Sequence, residues 1–236
     1  MNRYLPQTRL DEIGTEGQKK LASSTVLIVG CGALGSPCAM LLAGAGVGHV
    51  IIADFDTIDI SNLQRQFFYK TEEAGAFKSE VLKTRMEELN PDIKVTALQK
   101  MVTEQLLSDL PSPPDMIVDA ADNPSTTYML EKYCRKLSIP LSTAGVSGWQ
   151  GQLYTWLPGF PSFSDIIPQP EDGCGILPCS LTGIVGPLSS TLSSLQASEV
   201  IKTLIGLNSA SDPALLTLDL LTNTFNKFKT PSNIGC

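Results

Sequence analysis

The run Val26-Leu27-Ile28-Val29-Gly30-Cys31-Gly32-Ala33-Leu34-Gly35 constrains this chain more than any other stretch: a short apolar strand empties into a GxGxxG turn. A second apolar run, Val50-Ile51-Ile52-Ala53, ends at Asp54, nineteen positions after the last glycine. Strand, glycine turn, helix and strand-end acid together frame a nucleotide-binding βαβ unit. Gly30, Gly32 and Gly35 permit a tight turn and close backbone approach to phosphate. The following helix offers free N–H groups and a positive dipole end, and Asp54 can accept from ribose hydroxyls. The turn alone is a weak signal; its flanks make nucleotide binding the expectation and leave the nucleotide open.

A chain of 236 residues can bury one substantial core, and a composition of 42% apolar and 17% charged residues describes a globular protein. The net charge of -7 excludes a broad nucleic-acid or anionic-membrane surface, so phosphate chemistry must rest on a few placed cations. No charged residue occurs from Ser23 to Ala53, yet the glycines breaking this stretch argue against a membrane span. The N-terminus lacks an apolar signal core, so the expected location is the cytoplasm. Six cysteines without a CxxC pair read as reduced thiols. The single histidine, His49, reads as a turn residue before a strand, which leaves little room for a histidine triad or metal site.

Along the chain, helical stretches at Arg9–Leu21, Ser36–Ala45, Thr71–Leu89 and Ser125–Leu137 alternate with strands at 26–29, 50–53, 94–98, 116–121 and 140–144. The fold class expected is α/β: a Rossmann-like, doubly wound, mainly parallel sheet. The character changes after Gly145. Residues 151–157 alternate as an antiparallel strand would, and 158–178 read as a long loop rich in proline and glycine. A helix over 189–204 and a closing hairpin from 215–219 and 224–228 follow, so the sheet carries a C-terminal antiparallel extension.

Asp54-Phe55-Asp56 is followed by Ser61-Asn62-Leu63-Gln64-Arg65-Gln66, and then by Lys78. Such a loop can place donors on phosphates, with Lys78 as a point charge. Asp122 lies just past the strand beginning at Met116, where open α/β sheets gather ligands, and a carboxylate near two phosphates would hold Mg²⁺. The bland readings are solvated charges for Arg65 and Lys78 and a helix N-cap for Asp122.

These motifs, with Ala43-Gly44-Ala45-Gly46-Val47-Gly48, Leu89-Asn90-Pro91, Ala121-Asp122-Asn123 and Gly183-Ile184-Val185-Gly186-Pro187, resemble the ubiquitin-activating-like adenylyltransferases of the ThiF/MoeB/HesA type. The resemblance runs from about Arg3 to Phe228 and is nearest the thiamin-biosynthesis branch. It implies a single domain over 1–236, with a nucleotide-binding part at about 23–145 and a carrier-binding part at about 146–236. It implies a homodimer that uses ATP and Mg²⁺ to adenylate the C-terminal glycine carboxylate of a small ubiquitin-like, β-grasp sulfur carrier ending in Gly-Gly. A sulfur donor enzyme would act next. By the same resemblance, the nucleotide site comprises Gly30, Gly32, Gly35, Asp54, Asp56, Asn62, Arg65, Gln66, Lys78, Asp122 and Asn123. Arg65, Lys78 and Asp122 would act in the reaction, Asp122 as the metal ligand. Cys179 occupies a position that in some thiamin-pathway members links covalently to the carrier; Cys174 is its rival.

Two departures stand out. Relatives begin Arg-Tyr-x-Arg-Gln, with the second arginine reaching into the partner subunit's site, whereas this chain reads Arg3-Tyr4-Leu5-Pro6-Gln7. The trans-acting charge is then either lost or supplied by Arg3 or Arg9, a substitute being the favoured expectation. Relatives also carry two CxxC pairs; their absence here predicts no structural zinc and a mobile 158–178 segment. The alternatives are a molybdopterin-branch adenylyltransferase, an NAD-dependent oxidoreductase and a non-catalytic nucleotide-binding relative.

Overall fold

Uncharged runs of Val, Ile and Leu cannot sit at a sheet surface, and this chain buries them between helices on both faces of one sheet. The structure is a computed structural model that describes residues 3–167, 183–207 and 213–230. In chain order it comprises α1 (Leu5–Thr8), α2 (Gly14–Ser23), β1 (Thr25–Val29), α3 (Gly35–Ala45), β2 (His49–Ala53), α4 (Lys78–Leu89), β3 (Lys94–Leu98), α5 (Glu104–Ser108), β4 (Met116–Asp119), α6 (Pro124–Leu137), β5 (Leu141–Ser147), β6 (Gln150–Trp156), α7 (Phe163–Ile166), α8 (Gly186–Ile205), β7 (Ala214–Asp219) and β8 (Thr224–Lys229).

The strands form an eight-stranded sheet in the order β3-β2-β1-β4-β5-β6-β7-β8. Pairing is parallel from β3 to β5 and antiparallel from β5 to β8. Alternation sorts the core: Val26 and Ile28 face a cluster with Leu42, Leu82 and Val200, while Leu27 and Val29 face another with Leu107, Leu130 and Tyr154. A third cluster, around Leu188, Leu192 and Leu218, lies with the antiparallel strands. Since β1 has β2 on one side and β4 on the other, chain order reverses there and a crevice opens at the strands' carboxyl ends.

Three expectations change on contact with the structure. The helix expected from Thr71 begins at Lys78, because Gly75 turns the chain at φ +90° and Phe77 bridges back to Thr57. His49 is the first residue of β2 rather than a turn residue, with Nε2 2.9 Å from the Thr96 hydroxyl on β3. The described part of the 158–178 segment is tied down: Tyr154 and Trp156 donate to the Pro161 and Phe160 carbonyls, and Glu131 accepts from the Ser164 amide. Residues 168–178 lie outside the described residues.

Packing separates two glycines that look alike in sequence. A Cβ on Gly48 would stand 1.8 Å from the Ala22 carbonyl oxygen, whereas one on Gly44, inside α3, would meet only Leu89 Cδ2 at 3.8 Å. Gly48→Ala should destabilise the protein by about 3 kcal/mol through this backbone clash. Gly44→Ala, in the last turn of α3, should stabilise it by about 0.5 kcal/mol, the lower end of the gain seen in helices. Urea unfolding of the two variants checks both signs.

Candidate active site

The glycine turn is held in shape by the strands around it. Gly30 adopts φ +93°, its N–H donates to the Ala53 carbonyl at 2.9 Å, and a Cβ on it would stand 2.7 Å from the Ala120 oxygen. A Cβ on Gly35 would meet the Gly30 oxygen at 1.8 Å. Gly32 differs: its nearest would-be neighbour is Gln66 Nε2 at 3.4 Å, an ordinary contact, and it lines the cavity. Packing therefore forces glycine at 30 and 35, while at 32 the missing side chain leaves room in the cavity. No side chain caps α3 where it starts beside this turn, so its anion-favouring end is left to the cavity.

Asp54, at the end of β2, is buried and accepts from two backbone amides: Cys31 N–H at 2.6 Å and Asp56 N–H at 2.7 Å. Burial pushes its carboxyl above the usual range, and the two amides and Lys78 oppose that rise. Lys78, the first residue of α4, is only 4% exposed, and its Nζ lies 3.0 Å from the half-exposed Asp56 carboxylate. The loop between them folds back onto the turn. Tyr69 donates its hydroxyl to the Cys31 carbonyl at 2.6 Å, and Arg85 on α4 grips the Phe68 carbonyl and Glu73. That fold-back places Gln66 in the cavity wall, buried and with no hydrogen bond from its side-chain amide to a described residue. Arg65 also lines the cavity, its guanidinium steadied by Asn62 Oδ1 at 2.8 Å.

On the other side of the crevice, Asn123 rather than Asp122 caps α6, accepting from the Thr126 amide at 2.9 Å. Asp122 is exposed, lines the cavity and makes no hydrogen bond among the described residues. Asp119, at the end of β4, is buried; it accepts from the Thr127 hydroxyl at 2.6 Å and the Ala121 amide at 3.2 Å. The whole cavity measures about 920 Å³ and continues onto the antiparallel strands past Gly145, Gln152 and Asp219.

A model of the ThiF family matches residues 4–236. The chain belongs to the ThiF family. It is 41% identical over 205 residues to the sulfur carrier protein ThiS adenylyltransferase of Escherichia coli, covering 87% of this chain and 82% of that one. Over 242 residues it is 33% identical to the sulfur carrier protein adenylyltransferase of Thermus thermophilus, covering 100% of this chain and 89% of the relative. In fold it is similar to Escherichia coli MccB solved with AMPCPP and MccA, at TM-score 0.83 and 24% identity, over 100% of this chain and 73% of MccB. The doubly wound sheet with an antiparallel extension, read from the sequence, is the fold observed.

In this ThiF-family chain, a single cavity brings together Gly30, Gly32, Asp54, Asp56, Arg65, Gln66, Lys78, Asp122 and Asn123. Gly35 and Asn62 stand behind it, one packed under the turn and the other holding Arg65. Cys174 and Cys179 lie outside the described residues. Lys100 and Met101, just past β3, line the cavity and escaped the sequence reading, although their place after a parallel strand was the available signal. No group of three His, Cys, Asp or Glu suited to a metal exists among the described residues. Asp122, with its lone pairs uncommitted among the described residues, suits Mg²⁺, which is bound through one or two carboxylates together with substrate phosphates.

Burial raises the Asp119 carboxyl to about 6, against the pull of Thr127 and the Ala121 amide. The Thr143 hydroxyl beside it, with no partner in hydrogen-bond geometry, pulls weakly in the same direction. Between about pH 4 and pH 6 the folded chain keeps this proton while the unfolded chain has lost it, so stability falls as pH rises through that window. Asp119→Asn should therefore gain about 3 kcal/mol relative to wild type between pH 4 and pH 7, from a rise of roughly two pH units at 1.36 kcal/mol each. Urea unfolding at several pH values reads this difference; a constant one refutes it.

Proposed function

We propose that this chain is an ATP-dependent adenylyltransferase acting on the C-terminal glycine carboxylate of a small ubiquitin-like sulfur carrier, in the thiamin branch. The observation that carries the reading is that Arg65, Gln66, Lys78 and Asp122 face one cavity above the glycine turn, in a chain similar over most of its length to a ThiS adenylyltransferase.

The chemistry follows from the charges. A carrier carboxylate oxygen forms a bond to the α-phosphorus of ATP, the bond from that phosphorus to the bridging oxygen breaks, and pyrophosphate leaves with its electron pair. The carboxylate is ionised at neutral pH, so no general base is required. What must be overcome is repulsion between two anions, by positioning and by fixed positive charge. Arg65, Lys78 and the uncapped start of α3 supply that charge, and the Gln66 amide can donate without adding any. The Asp54 and Asp56 carboxylates line the cavity as acceptors to which ribose hydroxyls can donate. Asp122 would hold Mg²⁺, which when bound neutralises phosphate charge.

In the homodimer this reading includes, Arg3 is unavailable as the substitute for the arginine missing at Pro6. Its guanidinium donates to the Leu89 carbonyl at 2.7 Å, at the end of α4. Arg9 is exposed and has no partner among the described residues, so it takes that role.

Carrier-dependent exchange of labelled pyrophosphate into ATP tests the activity, and its absence with the cognate carrier refutes it. Arg65→Ala should lower exchange by about 10²–10³-fold, the cost of one preorganised contact to developing charge. For the dimer, Arg9→Ala and Lys78→Ala should each be inactive, yet after subunit exchange their mixture should regain about a quarter of wild-type activity, as random pairing across a twofold axis gives. A mixture that stays inactive removes the role of Arg9.

A further inference from the structure

Asp122 stands in the cavity without any hydrogen bond of its own among the described residues, so its position is set by what holds its neighbours. Two fastenings to one side chain straddle it. Before it, the Ala121 amide donates to Asp119 Oδ1 at 3.2 Å; after it, the Thr127 hydroxyl in the first turns of α6 donates to Asp119 Oδ2 at 2.6 Å. Asp119 is itself immobilised. It is 1% exposed, and its carbonyl accepts from Gln196 Nε2 of α8 at 3.1 Å, an amide that also donates to the Ser142 carbonyl of β5 at 3.1 Å. One residue further on, the Ala120 amide donates to the Val29 carbonyl of β1.

We propose that Asp119 is a positioning residue for adenylation: its buried carboxylate ties the β4 tip to α6 and so sets where the Asp122 carboxylate stands. This rests on the function proposed above. Both Asp119 oxygens are spent on the tie and the side chain is sealed from the cavity's solvent, so it acts through Asp122 and touches no reactant. The division of labour between the two acids follows from their surroundings. One carboxylate has each oxygen engaged by a donor and its position fixed; the other, three residues on, accepts from no described residue and is free for a cation. A capping role for Asn123 completes the arrangement, because α6 begins immediately after Asn123 and cannot slide while that residue holds the Thr126 amide.

The test is a double-mutant cycle between the tie and the group it is held to position. Thr127→Val removes one fastening at nearly constant volume; Thr127→Ser keeps the hydroxyl. Asp119→Asn keeps both fastenings, its Oδ1 accepting from the Ala121 amide and its Nδ2 donating to the Thr127 hydroxyl, which reverses only the direction of that bond. Pyrophosphate exchange is measured with the ThiS-type carrier of the source organism, and ATP affinity is measured separately without carrier. Thr127→Val should lower the exchange kcat about tenfold, the effect of one buried hydrogen bond, with ATP affinity nearly unchanged. Thr127→Ser and Asp119→Asn should stay within about threefold of wild type. In an Asp122→Asn background, Thr127→Val should cost less than about twofold, since the carboxylate it positions is gone. Equal losses in both backgrounds, or an unaltered kcat in Thr127→Val, overturn the proposal. If Thr127→Val does not fold, Thr127→Ala takes its place in the same cycle. Wild-type protein without exchange rejects the adenylation reading itself; wild-type exchange with multiplicative losses rejects only the role given to Asp119.

Discussion

The Asp54 carboxylate, accepting from the Cys31 and Asp56 amides, is the contact on which the crevice depends. It fixes the glycine turn to the end of β2 from one side, and the Tyr69 hydroxyl fixes the Cys31 carbonyl from the other. With Gly30 pressed against Ala120 and Gly35 against Gly30, the turn has no slack. A buried carboxylate is costly, and the cost is offset here by two short amide contacts and a nearby ammonium. The result is a glycine turn whose shape exists before any ligand arrives, so that binding need not order it.

This arrangement gives Asp54 a second function beside the one its spacing implies. A strand-end acid at that distance from GxGxxG reads as a ribose acceptor, and Asp54 does line the cavity. Sequence spacing specifies where such a carboxylate emerges but not which amides it meets. Those depend on the curl of residues 30–32 and 54–56, set by long-range packing. The βαβ unit, the parallel order and the antiparallel change after Gly145 were legible because each rests on local periodicity or on an abrupt loss of it. Residues 57–77 were not, because that loop is shaped by distant contacts: Tyr69 to Cys31, Arg85 to Phe68 and Glu73, Phe77 to Thr57. Asp119 was hidden differently, as one polar letter at the end of an apolar strand. Only the fold shows that its side chain turns inward to Thr127 while Asp122, three residues later, turns out to the cavity.

The cations and the apolar walls are unevenly shared along the cavity. Arg65, Lys78 and Lys100 all stand at the parallel end, around the glycine turn, while the antiparallel end offers Gln152, Thr217 and the acid Asp219. In a chain of net charge -7 these cations are matched one for one by Asp54, Asp56 and Asp122, so what distinguishes this end is where its cations are placed and not an excess of charge. In the reading proposed here the triphosphate lies at the first end, where Arg65, Lys78 and Lys100 stand. An uncharged tail fits the second end, whose lining of Gln152 and Thr217 carries no cation. The junction between the two ends is β5, the last parallel strand and the first antiparallel one, whose residues Thr143 to Ser147 run along the cavity from the Asp122 side outward. Two anionic groups brought in from opposite ends of such a cavity meet only there, beside the strand tip that Asp119 holds. The change of strand direction that the sequence announces at Gly145 is thus also the feature that divides the cavity, and it puts the meeting point of the reactants proposed here next to the carboxylate of Asp122.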